Sequence, residues 1–223
     1  SQVFFKEENR SCKAAVLRIA SLWATLGRTV CSTNTGAYCR ARLKIKFEAV
    51  ADIARSIAAS AEQAFSEQAT VDTEDEGHAV VAKVQTENAE GRVILVDGFT
   101  VTAADTPENQ EEFPQNPSQK EGLGFPIIRC VSLISMVTGM LIDLAFAPYA
   151  GKQTGETALL WKMLEQLKPG DTLVADCFYC TYWLIAACQN KGVNIVMKNH
   201  DKRDDNPLGA TRINQHERIA SWQ

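Results

Sequence analysis

The stretch VILVDG at residues 93–98 sets four branched aliphatic residues directly before Asp97. A second stretch, TLVAD at residues 172–176, ends in the same way at Asp176. Short apolar runs of this kind predict buried strands, so each aspartate is expected at a strand end, on the edge of a sheet. Two carboxylates meeting there would form a hard oxygen site suited to Mg²⁺ or Mn²⁺ and to phosphoryl transfer. Strand-end aspartates also begin loops or cap helices, and this second interpretation stays open.

The region from residue 92 onward has the pattern of a mixed α/β domain. After the first strand, Thr106 and Pro107 predict a helix N-cap and first helical position. Two strands joined by a short turn at Thr138-Gly139 follow as a hairpin. The later elements are expected as a helix, a strand, a helix and a strand, at residues 154–167, 172–176, 178–190 and 193–198. Thr154 is the expected cap of the first of these helices.

This element order matches a ribonuclease-H-like core, in which the first strand and a later adjacent strand each present an acid to bound metal. The final β–α–β units predict neighbouring parallel strands with a right-handed crossover. Asp97 and Asp176 lie where such a core needs its acids. Further carboxylates near the predicted core are Asp105, Asp143 and Glu156. We expect Asp143 to face solvent and Asp105 to have a structural role.

The first third of the chain predicts a small all-α region. Apolar residues recur at helical spacing in residues 12–26 and 44–67, with a polar turn between them. Residues 69–91 are acidic and poor in large apolar side chains, which is typical of a linker. We therefore predict a helical region at 1–68, an acidic linker at 69–91 and an α/β core at 92–223.

The bulk composition is that of an ordinary soluble globular protein. The chain has 223 residues, of which 45% are hydrophobic and 22% charged. No apolar run approaches the roughly 20 residues needed to span a bilayer, and the first residues do not resemble a signal peptide. Seven cysteines, an odd number, favour reduced thiols. These features predict a cytoplasmic protein without a membrane partner.

The net charge of −4 conceals a strong segregation of charge along the chain. Residues 1–60 carry a net charge of +6, whereas residues 61–125 carry −11. A basic first segment could contact nucleic-acid phosphates although the whole chain is acidic, and a solvated helical surface is the alternative. The candidate phosphate contacts are Arg40, Arg42, Lys44, Lys46 and, from the loop GKQTGET, Lys152.

Six blocks of distinctive sequence follow one another along the chain. They are NTGAYCRAR (34–42), DGFTVTAADTPENQ (97–110), QKEGLGFPIIR (119–129), GKQTGETALL (151–160), PGDTLVADCFYCTYWLIA (169–186) and GATRINQHERIASWQ (209–223). Together they resemble bacterial insertion-sequence transposases of the IS-four type, a group of DDE transposases. The resemblance covers about residues 12–223.

The resemblance implies an enzyme that cuts DNA at the ends of its own element and joins those ends to target DNA. Such enzymes use an Asp-Asp-Glu triad and two divalent ions, Mg²⁺ or Mn²⁺, on a ribonuclease-H-like core. By position, Asp97 and Asp176 are the first two acids, both catalytic and metal-ligating. The implied partners are element-end and target DNA, with a homodimer on DNA because two ends must be held together. The implied location is the bacterial cytoplasm, in association with the nucleoid.

The sequence departs from the family pattern in two ways, and both lead us to expect weak activity. The family's glutamate belongs to a downstream Tyr-x-x-Arg-x-x-x-Glu signature, and no match follows Asp176. Glu217 lies in the block that precedes that signature and is not a substitute. Cys177 also stands where the family usually has a basic residue. We therefore expect a transposase truncated before its third acid and inactive alone, or alternatively a catalytically dead DNA-binding remnant.

Other motifs support weaker hypotheses. Cys177 and Cys180 form a C-x-x-C pair between a predicted strand and helix, as in thiol redox proteins. A zinc site would need about four ligands, and only scattered histidines could join this pair: His78, His200 and His216. Buried or helix-face cysteines are the simpler interpretation.

Overall fold

The computed structural model of the protein describes residues 12–69, 91–198, 211–214 and 218–219. The chain divides into two compact units, residues 1–53 and 54–223. The helices that precede the first strand are α1 (Cys12–Thr25), α2 (Thr35–Arg42) and α3 (Phe47–Ala69). The predicted acidic linker lies, apart from its two ends, outside the described residues. Within the described ranges, no helix is both long and apolar enough to cross a membrane.

Helix α2 replaces the polar turn that was expected between the first two predicted helices. Asn34 has an extended backbone before the helix, and its side-chain oxygen accepts a hydrogen bond from the Gly36 amide at 2.8 Å. This cap satisfies one of the amides that a helix leaves without a partner at its N-terminus. The prediction of a turn was wrong because the helix depends on its cap rather than on an apolar stripe.

A mixed five-stranded sheet forms the centre of the second unit. Its strands are β1 (Val93–Thr102), β2 (Ile127–Ser135), β3 (Leu141–Pro148), β4 (Thr172–Ala175) and β5 (Asn194–Met197). They lie in the order β3-β2-β1-β4-β5. The pairs β1–β2 and β2–β3 are antiparallel, whereas β1–β4 and β4–β5 are parallel. This is the order of a ribonuclease-H-like sheet and confirms the predicted fold class.

Helices α4 (Pro107–Glu112), α5 (Glu156–Met163) and α6 (Tyr182–Asn190) accompany this sheet. Helix α5 connects β3 to β4, and α6 connects β4 to β5. Their apolar side chains join those of β1, β2 and β4 in one core, which includes Ile94, Leu133, Leu159, Leu173 and Leu184, each fully buried. Burying one such leucine side chain stabilises the fold by about 1.5–3 kcal/mol. A separate pair of short strands, β6 (Thr211–Arg212) and β7 (Arg218–Ile219), is antiparallel.

Several local predictions are confirmed. The Thr106 side chain accepts a hydrogen bond from the Asn109 amide at 3.3 Å, and Pro107 begins α4 as predicted. Strands β2 and β3 pair as a hairpin, and Gly139 in the connecting turn has a φ of 64°. Glycine suits that left-handed backbone because it has no Cβ.

Other local predictions were wrong. Strand β1 does not end at Asp97 but continues to Thr102, because β2 pairs with it along that length. Helix α5 begins at Glu156 after Gly155, without a side-chain cap, while the Thr154 hydroxyl donates to the Gly151 carbonyl at 3.1 Å. The single helix expected over 178–190 is a 3-10 turn at Cys177–Tyr179 followed by α6.

Asp143 was also predicted wrongly, since it does not face solvent. Its side chain is 7% exposed, and its Oδ1 accepts hydrogen bonds from Arg55 Nη2 at 2.9 Å and Nε at 3.2 Å. A buried carboxylate of this kind is retained because a cation and hydrogen bonds offset its lost hydration.

Candidate active site

Asp97 lies on β1, and Asp176 directly follows β4, the neighbouring parallel strand. The β1–β4 register pairs Val93 with Thr172 and Leu95 with Val174. Two further steps in this register bring Asp97 level with Asp176, at the point where β4 ends and β1 continues beside β2. Adjacent strands lie about 4.8 Å apart. Both aspartates are exposed.

The Asp176 side chain is held by the turn that follows it. Its Oδ1 accepts a hydrogen bond from the Phe178 amide at 2.9 Å and caps the 3-10 turn. The structure shows no hydrogen bond to Oδ2 from the residues it describes. One carboxylate oxygen therefore orients the group, and the other is left to accept from a ligand.

Glu156, in the first turn of α5, lies against the backbone of β1 directly after Asp97. A Cβ built on Gly98 would overlap the Glu156 carboxylate, so this approach requires glycine at position 98. The first turn of a helix favours a negative charge. In the part of the chain that the structure describes, Glu156 forms no ion pair.

Tyr179 is the largest fully buried side chain among the described residues, and it lies in the 3-10 turn that Asp176 caps. It is 1% exposed, and its hydroxyl has no hydrogen-bond partner among the described residues. Burial raises the pKa of Tyr179, and the negative charges of Glu156, Asp176 and Asp97 raise it further.

Exposed aromatic residues follow Asp176 along the chain. Phe178, Tyr182 and Trp183 are 68%, 48% and 73% exposed, and the Tyr182 and Trp183 rings meet edge to face at 5.2 Å. Exposed aromatic faces are the platforms on which unpaired bases stack in proteins that bind single strands. The sequence did not indicate this cluster, because aromatic residues at helical positions are usually core residues.

The other predicted site residues lie elsewhere. Lys152 is exposed and, with Lys162, lines a surface pocket of about 300 Å³. In the first unit, Arg40 and Arg42 end α2, and the lysines at 44 and 46 follow it; all four basic side chains are exposed.

The C-x-x-C pair does not have the geometry of a helix-activated thiol. Cys177 begins the 3-10 turn, Cys180 ends it, and α6 begins only at Tyr182. Neither cysteine therefore belongs to the first turn of α6, where a thiolate would be stabilised. The three histidines considered as zinc ligands lie outside the described residues.

Comparison with known proteins identifies the family. The family described as "Transposase DDE domain" matches residues 88–223, more than half of the chain. The chain belongs to the DDE transposase family. A cryo-EM structure of a piggyBac transposase synaptic complex with hairpin DNA is similar over 53% of this chain, with a TM-score of 0.38 and 12% sequence identity. The similar region spans 25% of that transposase chain. No curated protein matches the chain.

DDE transposases use divalent metal ions, and the residues at this site fit such an ion in their chemistry. Within the described ranges, no three His, Cys, Asp or Glu side chains already stand close enough together to hold a metal ion. Mg²⁺, however, commonly binds through one or two carboxylates and completes its shell with waters and substrate phosphates. The carboxylates of Asp97 and Asp176 are hard donors of this type.

Proposed function

We propose that this chain acts in DNA transposition as a DDE transposase of the insertion-sequence IS-four type. Its substrates are the ends of its own element and target DNA, and Asp97 and Asp176 hold Mg²⁺ or Mn²⁺, two ions in the complete active site. The observation that carries the proposal is the β1–β4 register, which brings these two acids level on adjacent strands. The proposed setting is the bacterial cytoplasm, in association with the nucleoid.

The protein groups at the site orient and position the reactants. The Phe178 amide fixes one oxygen of Asp176, and β1 holds Asp97 rigidly because it is paired with β2 at this point. When bound, the metal supplies activation of the attacking hydroxyl and stabilisation of the leaving oxygen. The attack on the phosphodiester is in line, first by water and then by the freed strand end. Exposed aromatic residues after Asp176 suit the stacking of bases beside the cut.

The activity of this chain alone is expected to be incomplete. Its 223 residues contain no match to the downstream signature that carries the family's third acid. Metal and DNA binding are therefore expected without full strand transfer. The exposed basic run of the first unit also supports the second candidate function, a catalytically dead protein that still binds DNA. In either case, holding two element ends together favours a homodimer on DNA.

Metal binding tests the proposed function directly. Replacing Asp97 or Asp176 with asparagine removes one carboxylate and preserves its shape, so Mn²⁺ should bind more than about 100-fold more weakly. This expectation exceeds the loss of about 10–100-fold typical of residues that only support a ligand. Isothermal titration calorimetry with MnCl₂ measures the change.

Asp105→Asn is the matched control, because Asp105 is exposed and its carboxylate accepts a hydrogen bond from Gln110 at 2.9 Å. It should bind Mn²⁺ like the original chain. Unchanged binding in both Asp97→Asn and Asp176→Asn would contradict the assignment.

DNA binding by the basic run is tested by salt dependence. The test variant has glutamine in place of all four basic residues of the run, Arg40, Arg42, Lys44 and Lys46. Each lost phosphate contact should make the slope of log K against log salt less negative by about 0.9, so the slope should change by up to about 3.6. Fluorescence anisotropy with duplex DNA between low and moderate salt measures this slope. Four other exposed basic residues, Arg28, Lys120, Lys168 and Lys198, provide a control of equal charge. Equal slopes for the two variants would show that the basic run does not contact DNA.

A further inference from the structure

A surface pocket of about 300 Å³ lies where the edge strand β3 ends, next to α4, α5 and the loop that follows β3. The lining residues that matter here are Glu112, Phe113, Phe146, Lys152, Gln153 and Lys162. In the part of the chain that the structure describes, neither lysine forms an ion pair. The Glu112 carboxylate offsets only one of the two positive charges. The pocket is therefore suited to an anion.

The loop that carries Lys152 is held in place by Arg129 of β2. Arg129 Nη1 donates to the Thr154 carbonyl at 3.1 Å, and the guanidinium carbon lies 4.5 Å from the centre of the Tyr149 ring. Within the loop, the Thr154 hydroxyl donates to the Gly151 carbonyl at 3.1 Å. A loop that is already ordered loses less entropy when a ligand binds. The backbone of Lys152 is therefore positioned for binding in advance.

Gln153 lines the same pocket in a backbone conformation that favours glycine. Its φ is 61°, and among the described residues it is the only non-glycine residue with a positive φ. A Cβ makes this conformation costly, and residues that adopt it cluster at binding and active sites. The side-chain amide of glutamine carries two N–H donors, which suit an oxyanion. Glutamine in place of glycine here supports a role of this side chain in binding.

One wall of the pocket, Phe146, belongs to the face of the sheet that carries Asp97. Phe146 of β3 lies opposite Cys130 of β2, which lies opposite Phe99 of β1. Phe99 and Asp97 share a face because side chains alternate along a strand. Two strand spacings of about 4.8 Å and two residues of about 3.4 Å separate Phe146 from Asp97 by about 12 Å. A DNA strand advances about 3.4 Å per nucleotide along the helix axis, so this distance spans about three to four nucleotides.

We propose that this pocket binds a phosphodiester group of the DNA strand, about three to four nucleotides from the phosphate that is cut. Lys152 and Lys162 supply positive charge, which suits a phosphate because an ammonium group binds it as a point charge. Gln153 supplies a hydrogen bond. The inference rests on the proposed function for its DNA partner and for the position of the cut at Asp97.

The salt dependence of DNA binding by the 223-residue chain tests this inference. Since both lysines contact one phosphate, the double variant Lys152→Gln and Lys162→Gln should make the slope of log K against log salt less negative by about 0.9. Fluorescence anisotropy with duplex DNA measures the slope. A change of about 1.8 would mean two separate phosphate contacts and would contradict a shared one. The control has glutamine at two other exposed lysines, Lys120 and Lys168, and should keep the original slope.

The remaining outcomes separate this inference from the proposed function. If the original chain binds DNA and the double variant has the slope of the control, the inference is overturned and the proposed function stays intact. Absence of DNA binding by the original chain would overturn both. Titration with inorganic phosphate tests the other source of the same chemistry. Phosphate binding that is lost in the double variant, together with an unchanged DNA slope, would show a site for free phosphate and overturn the inference.

Gln153→Gly tests the hydrogen bond separately from the charges. It should weaken DNA binding at fixed salt by about two- to tenfold, the effect of one lost hydrogen bond. The salt slope should stay unchanged, because no charge is removed. Thermal melting without DNA should give an equal or higher melting temperature, since glycine relieves the strained backbone. A purely structural role for Gln153 would not combine weaker binding with retained stability, and unchanged DNA binding would contradict its assignment.

Discussion

Replacing Asp171 with alanine is expected to lower the free energy of unfolding by about 3–5 kcal/mol, the range for breaking a buried ion pair by removing one partner. Asp171 is 2% exposed. Its carboxylate accepts hydrogen bonds from Arg92 Nη2 at 2.7 Å, from the Lys168 amide at 2.8 Å and from the Arg92 amide at 3.0 Å. The alanine variant would leave these donors without their main acceptor.

The loss is large because Arg92 cannot become neutral in compensation. Burial opposes the charge on Arg92, but the hydrogen bonds and charges of Asp171 and Glu62 outweigh this effect and raise its pKa. Arg92 therefore stays charged and keeps only the Glu62 carboxylate at 3.3 Å and the Gln166 carbonyl at 2.8 Å. A charged group in such a position is costly without a close partner.

Urea denaturation followed by circular dichroism measures this change. Asp105→Ala is the matched control, since exposed positions usually change stability by less than about 0.5 kcal/mol. A loss below about 1 kcal/mol in Asp171→Ala would show that the ion pair is not needed for stability.

Asp171 also links stability to the candidate site. It joins the start of β1 to the start of β4, where the Thr172 amide donates to the Arg92 carbonyl at 2.8 Å. This connection sets the register that brings Asp97 level with Asp176. Folded Asp171→Ala protein is therefore expected to bind Mn²⁺ more weakly than the original chain, although Asp171 is not a proposed metal ligand.

Replacing Gly91 with alanine is expected to cost about 3 kcal/mol, the upper end of the range for overpacking. A Cβ at this position would overlap the Gly170 carbonyl and the Asp171 amide nitrogen, which are all backbone atoms. A backbone carbonyl cannot rotate away as the tip of a side chain can. The strands β1 and β4 would therefore have to separate at their first residues.

Gly155→Ala provides the comparison, because a Cβ at Gly155 meets no atom within 4 Å. Its expected cost is about 1 kcal/mol, because alanine is a poorer N-cap than glycine although its methyl group has space here. Equal denaturation midpoints for the two variants would contradict the close approach of residues 91 and 170.

Much of the sheet and its turns could be predicted because the signals are local. Branched residues before Asp97 and Asp176 predicted two strands, and Thr138-Gly139 predicted a hairpin, each from a few consecutive residues. Helix α2 could not be predicted from apolar periodicity, since its start depends on the Asn34 cap. The burial of Asp143 could not be predicted either, because its partner Arg55 is distant in sequence.

By itself, the sequence determined the class of fold, the order of the strands and helices in the α/β core, and which two aspartates follow apolar strand residues. Tertiary structure alone decided the length of β1, because a strand ends where its pairing partner ends. It also brought Asp97 level with Asp176, and Glu156 against the backbone of β1 at Gly98. No spacing in the sequence indicates that convergence, since the residues lie on separate elements. Strand register and the packing of α5 against the sheet bring them together, and both depend on contacts between residues far apart in the chain.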